Sequence, residues 1–205
     1  MNYNIEMEKI MTEENRGKTL LLHACCAPCS TACLERVANF FKVSIFYYNP
    51  NITSKEEYDL RLEEIKKLIN DIDSVYKIDI IEGKYEVSRF IDISKGLEHE
   101  PERGKRCFKC YNLRLEETAK YASELGYDLF GTTLTLSPYK RCDWINEIGE
   151  ELNKKYKSKY LYSDFKKKGG YQRSIELSKK YNLYRQDYCG CIYSKLEQDK
   201  RKKEN

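Results

Sequence analysis

Apolar positions along this chain follow two rhythms. "KTLLLHA", residues 18–24, is a short unbroken apolar run bounded by polar residues, which predicts a strand buried on both faces. "CAPCSTACLERVANFF" reads as loop and helix, with Pro28 near the helix start and Ser30 or Thr31 available as caps. "KVSIFYYNPN" is β-branched and aromatic and stops at Pro50, predicting a second strand. The clearest helix follows: Tyr58, Leu62, Ile65, Ile69 and Ile72 recur at spacings of four and three behind a Thr53 or Ser54 cap. "VYKIDIIEG" fits a third strand. The pattern loosens after Gly83 and resumes in "FKCYNLRLEETAKYASELG", where Tyr111, Leu115, Ala119 and Ala122 form one stripe and Gly126 is the stop. "YDLFGTTLTL" predicts a fourth strand, and "DWINEIGEELNKKY" a helix on Ile145, Ile148 and Leu152 with Asp143 as its cap.

Strands alternating with helices over short connections predict one α/β domain across residues 18–194. Its expected form is a Rossmann-like, doubly wound, mostly parallel sheet with a cysteine-rich helical and loop C-terminal part. That last part holds one short helix, from Ile175 to Tyr181. Residues 1–17 read as an N-terminal extension and 195–205 as a frayed charged tail. A net charge of +4 among 34% charged residues makes any basic patch local to particular segments. No apolar run reaches the length of a signal peptide or membrane span, so the expected location is cytoplasmic, with no membrane partner.

Location matters because the chain has nine cysteines, and reducing cytosol disfavours structural disulfides. Seven fall in three tight groups: Cys25, Cys26 and Cys29; Cys107 and Cys110; Cys189 and Cys191. The first group ends a predicted strand, where open α/β sheets gather ligands. The second opens a helix, whose N-terminal field favours thiolates. Adjacent Cα atoms lie about 3.8 Å apart, short of the roughly 4.4–6.8 Å of an unstrained disulfide. Cys25 and Cys26 are therefore better ligands than partners, whereas the turn at Gly190 would let Cys189 and Cys191 form a reversible bridge. A lone CxxC at Cys107 and Cys110 fits half a zinc knuckle, a redox pair or an iron–sulfur site. Seven cysteines exceed the four ligands that close a zinc shell. Cys33 and Cys142, outside the groups, read as core thiols.

"LLHACCAPCS", "FYYNPNI", "RCFKCYNLRLEETA", "TTLTLSPYK", "GGYQRS" and "YRQDYCGCIYS" together resemble the epoxyqueuosine reductases of the QueH type. The resemblance runs from about Lys18 to Ser194, with the motifs in the family's order. It implies an oxidoreductase of the last step of queuosine synthesis, removing the epoxide oxygen of epoxyqueuosine at the wobble position of tRNA. Two electrons and two protons enter and water leaves, with electrons from an unidentified donor. An iron–sulfur cofactor fits, since no side chain supplies reducing electrons and no glycine-rich dinucleotide fingerprint is present. The preferred division gives a [4Fe-4S] cluster to Cys25, Cys26, Cys107 and Cys110, and leaves Cys189 and Cys191 as a redox-active pair. The other gives the cluster to Cys107, Cys110, Cys189 and Cys191. An additional mononuclear iron would then sit on Cys25, Cys26 and Cys29, and the family's occasional aspartate at the Cys29 position suits a metal ligand.

A tRNA substrate calls for cations interleaved with aromatics. Tyr139 and Lys140 in "SPYKR", Arg173 in "GGYQRS" and Arg185 in "YRQDY" are the candidates, with Lys166, Lys167 and Lys168 as further phosphate contacts. Gly169 and Gly170 mark a tight loop or a plain turn. His23 reads as a hydrogen-bonded structural group and Asp187 as a candidate acid. Two rivals remain. An ATP-dependent tRNA-thiolating enzyme would need glycine in the loop after the first strand, and "ACCAPCS" has none. A zinc-stabilised RNA-binding module would be colourless where an iron–sulfur protein is brown.

Overall fold

The computed structural model describes residues 1–204. Five parallel strands form one sheet in the order β3-β2-β1-β4-β5. They are β1 (Thr19–His23), β2 (Lys42–Tyr47), β3 (Asp79–Glu82), β4 (Leu129–Thr132) and β5 (Lys159–Tyr160). The helices are α1 (Tyr3–Ile10), α2 (Ala27–Val37), α3 (Lys55–Asp71), α4 (Val87–Ser94), α5 (Lys105–Glu124), α6 (Cys142–Lys155), α7 (Gly170–Lys180) and α8 (Ile192–Glu204). The doubly wound α/β expectation holds, with a sheet that is parallel throughout.

β1 explains the layering. Its side chains point alternately to the two faces, so Leu20 and Leu22 join one core with Val43, Ile45, Leu34 and Leu177, while Leu21 joins the other with Phe46, Leu115, Phe130 and Ile148. Helices α2, α3 and α7 cover the first face and α5 and α6 the second. An unbroken apolar run is what a strand covered on both faces requires.

The chain winds outward from β1 through β2 to β3, then returns to lay β4 on the other side of β1. Strand order reverses between β1 and β4, where His23 is paired in register with Thr132. Such a reversal leaves a crevice beyond the strands' carboxyl ends. The segment that starts at Cys25 emerges there.

Several local expectations need correction. Ser30 and Thr31 do not cap α2: Cys26 occupies that position, and both hydroxyls lie inside the helix, donating to the Cys26 and Pro28 carbonyls. Ser54 caps α3, accepting from Glu57 N–H. Arg141, not Asp143, is the N-cap of α6, and Asp143 in the first turn instead accepts from the Arg141 guanidinium. α7 begins at Gly170, five residues before the expected start. Residues 195–204, expected to be frayed, continue α8, because the helix starts directly after Cys191 and seats Ser194 against the core. Asn205, the end of that expected tail, lies outside the described residues. Met7 is fully buried, so α1 is packed onto the domain. No described helix is long and apolar enough to cross a membrane.

Candidate metal and substrate site

β1 delivers the chain to Cys25 and Cys26, and Pro28 in the first turn of α2 fixes the bend that aims Cys29 back at them. The three sulfurs all lie within 4.8 Å of one another, with Cys25 Sγ and Cys26 Sγ 3.8 Å apart. The cluster shares negative charge unequally. Contacts from the Cys26 and Cys29 thiols, helped by the nearby Arg114 and Lys140 charges, hold Cys25 well below the usual thiol range. Its thiolate pushes Cys26 up to about 12 and Cys29 well above its ordinary value.

A second gathering comes from two distant segments. Cys107 and Cys110 occupy the first turns of α5; Cys189 and Cys191 flank Gly190 at the entrance to α8. Cys110 and Cys191 pack together with Phe90 of α4, and Cys189 is close enough to raise the Cys107 and Cys110 thiols after burial has done so. Burial, then Cys189, pushes Cys191 up to about 12. All nine cysteines are free thiols, Cys189 and Cys191 included. Cys33 is fully buried in the core behind α2, and the partly buried Cys142 thiol donates to the Ser163 carbonyl.

Three cations absent from the sequence-derived site hold these pieces. Arg61, 1% exposed, donates to the Tyr188 and Cys189 carbonyls at 3.3 and 3.1 Å and pairs with Glu57. Arg106 donates to the carbonyls of Leu97, Glu98 and Glu100 and lies over the Tyr193 ring, joining the start of α5 to α8. Arg114, fully buried, bonds His23 and Asn49. The signal was available: Arg61 and Arg114 each follow a stripe tyrosine, Tyr58 and Tyr111, by three residues, and so fall on the buried face.

His23 is structural, as expected. Burial, then the Arg114 charge, lowers it to about 3, so it is neutral. Its Nε2 lies 3.3 Å from Arg114 Nε and 3.2 Å from the Tyr48 carbonyl, and its Nδ1 shares a hydrogen bond of 3.0 Å with Thr132 Oγ1. Two buried side chains beside these strand ends lack partners: Nη1 of Arg114 and both amide atoms of Asn51.

A cleft of about 380 Å³ opens over the crevice. Its walls include Cys25, Cys29 and Cys189 and, of the expected substrate residues, Tyr139, Lys140 and Arg185. Lys140 Nζ reaches Cys189 Sγ at 3.2 Å. Burial pulls the Lys140 ammonium down, but its neighbours Cys189, Tyr111 and Cys25 outweigh it and hold the group well above its ordinary value. Arg185 lies over the Tyr171 ring, 5.8 Å from its centroid. Arg173 is not in the cleft; it pairs with Glu35 and Glu176 on the outer side of α7. Lys166 and Lys168 are likewise engaged elsewhere, by Asp164 and Glu8, and Gly169 at φ +75° forms the plain turn into α7. Asp187 is held below the usual aspartate value by Lys202, which makes it a poor proton donor.

A family model described as "Epoxyqueuosine reductase QueH" matches residues 20–197. The chain belongs to this family. Curated relatives bearing that name, an oxidoreductase name, include the Staphylococcus epidermidis protein, 43% identical over 97% of this chain and 86% of the relative. The Streptococcus pyogenes protein is 40% identical over 92% and 75%, and the Thermotoga maritima protein 36% over 87% and 91%.

Proposed function

We propose that this chain reduces epoxyqueuosine to queuosine in tRNA, with the epoxide oxygen leaving as water. The observation that carries the reading is the cluster of Cys25, Cys26 and Cys29 just beyond β1, facing a cleft that Cys189, cations and tyrosines also line. For the cofactor, the second division of the cysteines is the better supported. Cys107, Cys110, Cys189 and Cys191 would hold a [4Fe-4S] cluster, and Cys25, Cys26 and Cys29 a separate iron. Three observations support it: the sulfurs of the first three lie within one metal's reach of each other, Cys110 packs on Cys191, and Cys107 lies within electrostatic reach of Cys189. The donor chemistry fits, since thiolates favour iron–sulfur groups, and the unpaired Arg114 nitrogen suits a negatively charged sulfur-rich neighbour.

When bound, such groups supply reducing electrons and a Lewis-acidic position for the epoxide oxygen. The chain's own residues bind and orient. Lys140, fixed beside Cys189, offers a charge to the substrate end of the cleft. Tyr139, largely exposed, and the Arg185–Tyr171 pair offer stacking faces for an unstacked anticodon base and a charge for its phosphate. The electron donor comes from outside the chain.

The test is iron, acid-labile sulfide and zinc per chain on protein purified without oxygen, alongside conversion of epoxyqueuosine-bearing tRNA followed by nucleoside mass spectrometry. Conversion with iron in excess of sulfide supports the reading. Zinc alone, colourless protein and no conversion would leave the RNA-binding alternative. Replacing Cys189 and Cys191 with serine decides the division: loss of the sulfide-containing group supports it, and retention returns the cluster to Cys25, Cys26, Cys107 and Cys110.

A further inference from the structure

Arg114 stands on α5 one turn beyond Cys110 and is buried completely. Its Nε donates to His23 Nε2 at 3.3 Å and its Nη2 to Asn49 Oδ1 at 2.7 Å. Asn49 in turn donates to the carbonyl of Ala24, the residue before Cys25. Both hydrogen-bond partners are neutral, and the third nitrogen, Nη1, has none. Around the guanidinium lie the thiols of Cys110, Cys25 and Cys189, one from each of the three cysteine motifs.

A guanidinium does not give up its proton in a protein, and burying an unpaired charge is costly. The counter-charge must therefore come from sulfur. Arg114 is also a link in a chain of contacts from Thr132 through His23 to Asn49 and Ala24, which spans the crevice between β4 and β2. It touches the frame of the Cys25 group and the ligand helix of the Cys110 group at once.

We infer that Arg114 is a positioning residue shared by the two thiol groups, its charge and unpaired Nη1 stabilising the reduced state of the sulfur-ligated group on Cys110. The inference rests on the cofactor reading above. A cation and an N–H donor beside sulfur favour the form carrying the extra electron, so Arg114 raises the reduction potential of that group. A residue that only filled space would affect stability and leave the potential alone.

The experiment compares full-length wild type, Arg114→Gln, Arg114→Lys and the control Lys120→Met, all purified without oxygen, by iron and sulfide content and by redox titration without tRNA. Lys120 is exposed on the same helix, so its loss removes an equal charge away from the thiols. Lys120→Met is expected to titrate as wild type. Arg114→Gln is expected at least tenfold less reduced at a given potential, about 59 mV lower for a one-electron couple, with Arg114→Lys in between. Full iron content at wild-type potential in Arg114→Gln overturns the inference. Should Arg114→Gln fail to fold, Arg114→Lys decides: its ammonium cannot span His23, Asn49 and sulfur together, so wild-type potential and iron content there overturn it equally. Wild-type protein that binds no iron would overturn the cofactor reading itself, and this inference with it, before any variant is compared.

Discussion

The two thiol groups are built in opposite ways. Cys25, Cys26 and Cys29 come from one strand end and one helix start, so β1 and the first turn of α2 bring their sulfurs together with little help. Cys107 and Cys110 meet Cys189 and Cys191 only after β4, α6, β5 and α7 have been threaded between them. That meeting depends on Arg61, Arg106 and the turn at Gly190. A local group inherits its geometry from secondary structure; an assembled one needs buried cations to hold loop carbonyls that no ladder satisfies. The assembled group should therefore be the first to fail when the fold is weakened.

Arg61 is where the comparison is most exposed to test. It holds the Tyr188 and Cys189 carbonyls, and its removal would leave the largely buried Glu57 carboxylate without its counter-charge. Arg61→Met is expected to cost about 3 kcal/mol in urea unfolding and to lower sulfide content sharply. Unchanged sulfide in a destabilised Arg61→Met protein would mean that the assembled group does not depend on this cation.

Gly190 sharpens the contrast without touching charge. It sits at φ +111°, and an added Cβ would stand 2.9 Å from Ile52 Cγ1 and 3.2 Å from Arg61 Nη1. Gly190→Ala should cost roughly 1–3 kcal/mol from backbone strain and crowding. It should remove the sulfide-containing group while the Cys25, Cys26 and Cys29 thiols still bind one iron. Equal loss of both metals would show that the two groups form one cooperative unit. On the local side, Cys33 lies one turn beyond Cys29 but inside the core. Cys33→Ala is expected to cost about 1 kcal/mol in melting experiments with iron content unchanged; iron loss would move Cys33 into the site.

The same contrast governs what could be read from sequence. The β1 run, the α3 stripe and the three motif groups announce themselves because each is a local pattern, and the parallel doubly wound sheet follows from their alternation. The partners of each cysteine pair were not legible, because nothing near Cys110 in the chain says that Cys191 will lie beside it. α4 was missed because it is only eight residues long, although Val87, Phe90 and Ile91 keep helical spacing, and β5 has two residues, too few for any period. Arg173 and Lys168 sit in a basic, tyrosine-rich stretch that looked like a nucleic-acid surface, yet both face carboxylates from distant segments, Glu35 and Glu8. Charge composition reports which residues are available for a polyanion, and tertiary pairing decides which remain so.

The smallest effect tests the frame of the local group from its far end. Asp128, just before β4, accepts from both the backbone N–H and the hydroxyl of Thr19 at 2.8 Å, tying the starts of the two strands whose ends flank the crevice. These bonds hold its carboxyl below the ordinary aspartate value of 3.8. A depressed carboxyl stabilises the fold above its unfolded value, and that contribution disappears as the pH falls through the folded one. Asp128 is exposed, so Asp128→Asn should cost only about 0.5–1 kcal/mol at neutral pH. The gap between wild type and variant should stay constant down to about pH 5 and close below pH 4. Metal content should be unchanged in both groups, since the strand pairing beyond Thr19 continues through Leu20, Leu21 and Leu22 to His23. A gap that persists in acid would assign the stabilisation to the neutral hydrogen bonds; loss of iron would show that the local group depends on the whole length of β1 and not on its end alone.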